Sequence, residues 1–181
     1  KVLKSAYNSL SKQDKEALKM AYRRIHYYHS KQKKASYSYK DKLDTKFYIQ
    51  WNPIDNVGLY IPGGMASYPS TVLMTAIPAK IANVPNIMLC VPSKNGITSN
   101  LTLAAAHLCG VDHVYNIGGA QAIAAFAYGT KTIKKADKVF GPGNQFVAEA
   151  KKQLFGTIGI DLPAGPSEVL VIANSKSNPN W

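Results

Sequence analysis

The sequence predicts an α/β domain, a parallel sheet with crossover helices, preceded by an N-terminal helical arm. Two observations predict this fold. Short apolar runs alternate with helical stretches from residue 57 onward, a pattern typical of parallel strands that are joined by helices. The runs at 86–92 and 168–173 are apolar throughout, as expected of strands that are covered on both faces.

The expected elements follow one another in regular order. Strands are predicted at 57–62, 86–92, 113–118, 138–141 and 168–173, and helices at 70–83, 97–110, 119–129 and 144–156. Pro78 falls inside the first of these helices, where its ring and its missing amide are expected to kink or split the helix. Asn144 is a natural N-cap for the last helix.

The basic character of the chain is concentrated in its first 46 residues. Residues 1–46 hold 13 of the 22 Lys and Arg residues but only 4 of the 10 Asp and Glu residues. We predict a basic N-terminal helical arm over 1–46 and a compact domain over 47–181. Within the arm, Ser11 three residues before Asp14 is typical of a helix start, and the polar residues 33–46 are interpreted as a linker or a helix-to-strand arm.

Tyrosines are interleaved with the basic residues of the arm, namely Tyr22, Tyr27, Tyr28, Tyr37 and Tyr39. Such a composition can hold nucleic acid through phosphate contacts and base stacking. The interpretation that we favour is a solvated helix with a lysine-rich linker, because runs of charged residues usually form solvent-exposed surface. We therefore expect no nucleic-acid partner and keep attachment of nucleic acid to 1–46 as an alternative.

Composition restricts the class of protein further. The chain has 181 residues, of which 46% are hydrophobic and 18% charged, a balance that supports a globular core. No run of 18 apolar residues occurs and no signal peptide opens the sequence, so we expect a cytoplasmic location and no membrane partner. Cys90 and Cys109 lie in apolar segments without CxxC spacing and are predicted to be reduced core thiols. Because the chain begins with Lys1, we expect further residues upstream.

Four predicted loops place a short polar side chain beside glycine or proline: YIPGG (60–64), NIGGAQ (116–121), FGPGN (140–144) and DLPAGPSE (161–168). Open parallel sheets bind ligands beyond the carboxyl ends of their strands. Glycine lets a ligand approach the backbone closely, and free amides at a helix start favour anions. No GxGxxG and no P-loop is present, so the residues by themselves predict a small-ligand or nucleotide site.

The same loops carry a resemblance to a known family. The segments VGLYIPGG, STVLMTAIPAKIA, GGAQAIAA, GPGNQFVAEAKKQLFG and AGPSEVLVIA, between Val57 and Ala173, resemble those of the histidinol dehydrogenases. The arm segment AYRRIHYYHSKQ is also similar to an early helix of that family. The resemblance implies a Rossmann-like sheet and an oxidoreductase that uses NAD and zinc to oxidise L-histidinol to L-histidine, the last step of histidine biosynthesis. It also implies a homodimer.

The resemblance also implies roles for individual residues. The NAD-contacting positions of the family fall on Tyr60, Gln121 and Asn144, and its substrate-contacting serine falls on Ser167. A tyrosine can lie against a nucleotide, amide side chains can donate and accept toward ribose or pyrophosphate, and a serine hydroxyl can meet an amine or an alcohol.

No catalytic residue and no metal ligand is predicted within this chain. By the resemblance, the zinc ligands and the Glu-His acid/base pair follow the AGPSE strand, and the sequence reaches Trp181 before such a segment. His26 and His29 lack a partner ligand at suitable spacing, and His107 and His113 match no catalytic position. We therefore expect a truncated chain that is inactive by itself, and a nucleotide-binding relic without catalysis remains an alternative.

Overall fold

The computed structural model describes residues 1–63, 67–93, 96, 98–111, 113–162 and 170–178, and strands alternate with helices from Asn56 onward. In chain order the elements are α1 (Val2–Ser9), α2 (Lys12–Ser30), β1 (Tyr37–Lys40), β2 (Lys46–Ile49), β3 (Asn56–Tyr60), α3 (Pro69–Ile81), β4 (Asn86–Cys90), α4 (Asn100–Leu108), β5 (His113–Tyr115), α5 (Ala120–Tyr128), β6 (Lys138–Phe140), α6 (Gln145–Leu154) and β7 (Gly159–Ile160).

The main sheet has five parallel strands in the order β5-β4-β3-β6-β7. The first strand of the sheet, β3, lies at its centre. The next two strands extend the sheet to one side and the last two extend it to the other. This is the strand order of a doubly wound sheet, and the order reverses between β3 and β6. The predicted Rossmann-like α/β fold is confirmed.

Both faces of the sheet are covered, so β4 is buried on each side. Ile87 and Leu89 pack with the residues of α3 and α4 on one face. Met88 and Cys90 pack with α5 and α6 on the other face. Helices α1 and α2 pack in turn against α4 and α3. The uninterrupted apolar run predicted this burial correctly for 86–92.

Gly58 in the central strand lies directly against Phe126 of α5. A Cβ atom at this position would lie 2.7 Å from two ring atoms of Phe126. The Phe126 side chain is completely buried, and the ring therefore occupies the space that a side chain on β3 would fill.

A hairpin stands where the sequence predicted a linker. Strands β1 and β2 pair antiparallel, with Tyr39 opposite Phe47 and their rings stacked at 5.1 Å between centroids. Asp41 shapes the turn, because its Oδ1 accepts from the amides of Leu43 and Thr45 at 2.9 Å each. The interpretation of 33–46 as a linker or a helix-to-strand arm missed the antiparallel pairing of this hairpin, which cross-strand aromatic contact favours despite the polar composition.

The hairpin also crosses the predicted boundary between 1–46 and 47–181. Strand β2 begins at Lys46 and continues to Ile49. The division of the chain into an arm and a domain stays a prediction.

Two other expectations differ from the structure. Of the strand predicted at 168–173, residues 168 and 169 lie outside the described part of the chain, and residues 170–173 form no strand. Leu170, Val171 and Ile172 are exposed, because no described strand pairs with them and β-propensity without a partner does not make a strand.

Helix α3 is continuous through Pro78. Pro78 therefore does not split the helix.

We expect Gly58→Ala to lower the free energy of unfolding by about 1–3 kcal/mol, the usual cost of overpacking a filled core. The added methyl group would collide with Phe126. Denaturant unfolding measures the change, and the same substitution made together with Phe126→Leu supplies the control. An equal loss in both backgrounds would show that this contact is not the cause.

We expect both cysteines to resist alkylation in the native protein at pH 8. Burial raises the pKa of the Cys90 thiol to about 12. Burial likewise raises the pKa of Cys109 to about 12, against a smaller lowering by Lys80. Since both pKa values are raised in the folded chain, the contribution of the two buried neutral thiols to the stability of the fold is complete below the ordinary thiol pKa of 9.0. That contribution is lost as the pH rises from 9.0 toward 12. Iodoacetamide labelling with and without denaturant tests this, and rapid labelling of the native chain would contradict it.

Candidate functional site

Three loops at the carboxyl edge of the sheet meet around Pro92. A Cβ on Gly63 would lie 2.5 Å from the Pro92 carbonyl oxygen, and a Cβ on Gly118 would overlap the Pro92 ring. The hydroxyl of Thr98 also donates to Asn116 Oδ1 at 2.6 Å. The loops after β3, β4 and β5 are therefore in direct contact, and only glycine fits at the two crossing points.

Tyr60 connects the central strand to the start of α5. It is the last residue of β3 and only 3% of it is exposed. Its hydroxyl oxygen accepts a hydrogen bond from the Gly119 amide at 3.0 Å. Gly119 has φ of +71°, a conformation that favours glycine. Tyr60 thus anchors the residue that begins α5.

Gln121 lies in the first turn of α5 and is exposed. Its Oε1 is 2.7 Å from the position that a Cβ on Gly119 would take, so the side chain lies over the glycine that Tyr60 anchors. No side chain among the described residues caps α5. The Ala122 amide donates to the Gly119 carbonyl at 3.1 Å, so the amides of Ala120 and Gln121 are the ones at this helix start that could meet an acceptor from outside the chain.

Asn144 begins α6, the helix that follows the loop after β6. Its Oδ1 accepts from the amides of Phe146 and Val147 at 3.1 Å each, which confirms the predicted N-cap. The residue is exposed. Because Oδ1 is used for capping, the side-chain amide nitrogen is the group that remains for a ligand.

The loop before Asn144 is fixed by contacts that the sequence analysis did not predict. Gly141 has φ of +118°, and a Cβ there would overlap the carbonyl oxygen of Tyr60. The Gly141 amide donates to Asp161 Oδ2 at 2.8 Å, and Lys151 Nζ donates to the Gly141 carbonyl at 2.6 Å. From the sequence, a lysine at position 151 is expected on the exposed surface of a helix. No local pattern therefore indicated this contact.

The structure brings three of the four predicted site residues to one edge of the sheet. Tyr60 and Gln121 both lie against Gly119 at the start of α5, and Asn144 lies at the start of α6. The two helices pack against each other on the same face. Ser167 lies outside the described residues. The ligand contacts of all four residues stay predictions.

A sequence model of the family described as histidinol dehydrogenase matches residues 1–181. The chain belongs to the histidinol dehydrogenase family. The histidinol dehydrogenase of Acinetobacter baylyi is 52% identical over 179 residues, which are 99% of this chain and 42% of that protein. The histidinol dehydrogenase of Rhizobium meliloti is 54% identical over 165 residues, which are 91% of this chain and 38% of that protein.

A solved structure agrees with these sequence matches. The crystal structure of histidinol dehydrogenase from Elizabethkingia anophelis has a TM-score of 0.89 and is 42% identical, covering 99% of this chain and 42% of that one. The chain thus spans about two fifths of the length of the relatives that it matches. The resemblance seen in the loop motifs is confirmed over the full chain.

The described residues do not fit the zinc ion that this family implies. Across the described ranges, no group of three or more His, Cys, Asp and Glu side chains could hold a metal. The histidines have other neighbours: His26 stacks on Tyr22 and His107 lies against Tyr7. Nor does any helix within the described residues have the length and hydropathy needed to cross a membrane.

We expect Tyr60→Phe to lower the free energy of unfolding by about 1 kcal/mol, because the Gly119 amide loses its acceptor. Thermal or denaturant unfolding measures the loss. Tyr128→Phe is the matched control, since Tyr128 lies at the end of α5, the helix that Gly119 precedes, and is 66% exposed. Equal stability of the Tyr60 variant and the parent would show that the bond to Gly119 does not anchor α5.

Proposed function

We propose that this chain is the NAD-binding part of a histidinol dehydrogenase that oxidises L-histidinol to L-histidine. The observation that carries the proposal is the family match over residues 1–181. The proposal is supported by the position of Gln121 and Asn144 at two helix starts, next to the reversal of strand order where such sheets bind nucleotides.

The carboxyl edge has donors that suit a dinucleotide. The uncapped start of α5 offers backbone amides and the positive end of a helix dipole to a pyrophosphate. Gln121 and the side-chain amide nitrogen of Asn144 would donate to ribose or phosphate oxygens. In this proposal NAD supplies the hydride acceptor for the alcohol and aldehyde oxidations.

Tyr60 has a particular role in the proposal. Its hydroxyl oxygen accepts from Gly119, and the hydroxyl hydrogen remains available for donation. A nucleotide oxygen beside Gly119 would receive it. Because only 3% of Tyr60 is exposed, the hydroxyl alone would contact the cofactor, while the rest of the side chain stays inside and holds the helix start.

The remaining parts of the reaction belong to other residues. We propose Ser167 as the contact to L-histidinol, and we propose that zinc and the acid/base pair are held by parts of the full-length enzyme outside this chain. Assembly as a homodimer and a cytoplasmic location are also part of the proposal. According to this proposal, the chain alone binds NAD but does not oxidise L-histidinol.

A chimaera tests the activity directly. Residues 1–181 would replace the matching 42% of the Acinetobacter baylyi enzyme, to which the chain is 52% identical. We expect histidinol-dependent formation of NADH, because the supplied remainder completes the site. The unaltered relative is the positive control, and the chimaera with Ser167→Ala should have a raised KM for histidinol. A folded chimaera that forms no NADH would contradict the proposal.

Calorimetry with NAD tests the nucleotide site in the chain itself. We expect Gln121→Ala and Asn144→Asp each to weaken binding roughly 10-fold, the effect of about 1.4 kcal/mol. Asn144→Asp keeps the capping oxygen and favours the helix start, so a loss of affinity reports on the ligand and not on folding. Gln153→Ala is the control on the far end of α6. Unchanged affinity in both site variants would reject these assignments.

These experiments also separate the alternatives. NAD binding by the chain together with an inactive chimaera would favour a nucleotide-binding relic. Attachment of nucleic acid through residues 1–46 predicts an affinity that falls steeply with salt, and no binding at low salt would exclude it.

A further inference from the structure

An ion pair between a buried lysine and a partly exposed aspartate lies beneath the loop that carries Asn144. Lys151 in α6 is 4% exposed, and its Nζ is 2.6 Å from Asp161 Oδ1. The same Nζ donates to the Gly141 carbonyl, and Asp161 Oδ2 accepts from the Gly141 amide. Both backbone polar groups of Gly141 are therefore held by one lysine and one aspartate.

Stability alone does not account for this arrangement. Removing charges from water is costly, and replacing a buried ion pair by apolar residues is often neutral or stabilising. A side-chain pair that binds both the N–H and the C=O of one glycine fixes the position of that residue instead. We therefore consider which residues the fixed position of Gly141 places in turn.

Gly141 controls the direction in which the chain leaves β6. It lies against the Tyr60 carbonyl in a left-handed conformation, and the residues after it lead to Asn144. A cavity of about 240 Å³ lies beside this loop, lined by residues that include Pro142, Val147 and Leu162. The hydrogen bonds of the ion pair therefore hold Gly141 together with its close packing against Tyr60.

We infer that Lys151 and Asp161 are positioning residues for the NAD site. They hold Gly141 so that Asn144 and the first amides of α6 lie at the carboxyl edge beside Tyr60. The inference rests on the proposed function, since NAD is the ligand that the positioned groups would meet.

The test compares Lys151→Met with Lys152→Met. Methionine keeps the length of the side chain but removes the charge and the donors. Lys152 is the neighbouring residue on α6, exposed and 4.0 Å from Glu149, and it serves as the matched control. Lys151→Arg is the conservative variant, which keeps a cation and donors for both partners.

Two measurements are made on the full chain and on the active chimaera. Hydrogen exchange follows the amides of Phe146 and Val147, which Asn144 caps, against those of Ile87 and Leu89 in β4. Calorimetry and steady-state kinetics give the NAD affinity and the KM values for NAD and histidinol.

In Lys151→Met we expect faster exchange at the start of α6 with unchanged exchange in β4. We also expect NAD binding weakened about 10-fold or more, since small misplacements of positioning groups cost up to about 100-fold. The KM for NAD should rise while that for histidinol stays the same. Lys151→Arg should recover part of the affinity, and Lys152→Met should resemble the parent.

The two proposals fail in different ways. If the parent chain and the chimaera do not bind NAD, the proposed function fails, and hydrogen exchange still decides whether the ion pair positions the loop. If the parent binds NAD and Lys151→Met binds it equally well with normal exchange at Phe146 and Val147, the positioning inference is overturned. Uniformly faster exchange in both α6 and β4, with equal KM values, would also overturn it, because it indicates a purely structural role.

Discussion

The backbones that leave β3 and β6 meet at Tyr60 and Gly141, and the arrangement of the carboxyl edge depends on that contact. No side chain fits at Gly141, because a Cβ there would overlap the Tyr60 carbonyl oxygen. The contact lies where the strand order reverses, between the two halves of the sheet. Crossovers in opposite directions leave a crevice at such a point, and the crevice is where parallel sheets hold ligands.

Tyr60 also contacts the other half of the sheet. Its carbonyl lies against Gly141, while its hydroxyl reaches the amide of Gly119. One residue at the end of the central strand thus sets the start of α5 and limits the path toward α6. The burial of Tyr60 follows from this double contact, and a ligand at the edge meets helix starts whose positions have already been fixed.

Glycine and proline at the strand ends serve close packing as well as any ligand. Gly63 and Gly118 are both pressed against Pro92. Their absence of a side chain lets three consecutive loops contact one another. These two glycines are therefore placed for contacts between loops, which is a different use from that of the glycines in a dinucleotide fingerprint.

Local pattern was sufficient for much of the fold. The alternation of apolar runs and helical stretches predicted the parallel sheet, because crossover helices must cover both of its faces. Asn144 was predictable as a cap, since its short side chain can reach the amides of its own helix. The loop motifs were sufficient to indicate the histidinol dehydrogenase family, because long strings of specific residues carry more information than periodicity does.

Partners distant in sequence were beyond that reasoning. The hairpin of β1 and β2 forms in a stretch that composition described as linker, and residues 170–173 form no strand despite their apolar character. Whether a segment becomes a strand depends on a neighbour to pair with, and a single segment does not reveal its neighbour.

The sequence by itself determined the α/β class with its parallel sheet, the cap of α6 and the family of this protein, because these depend on periodicity, capping and motif. Only the tertiary structure decided that Tyr60 is buried against Gly119 and that Lys151 lies in the interior with Asp161. The physical reason is that a buried polar group must find its partner in space, and those partners come from strands and helices that the chain brings together only on folding.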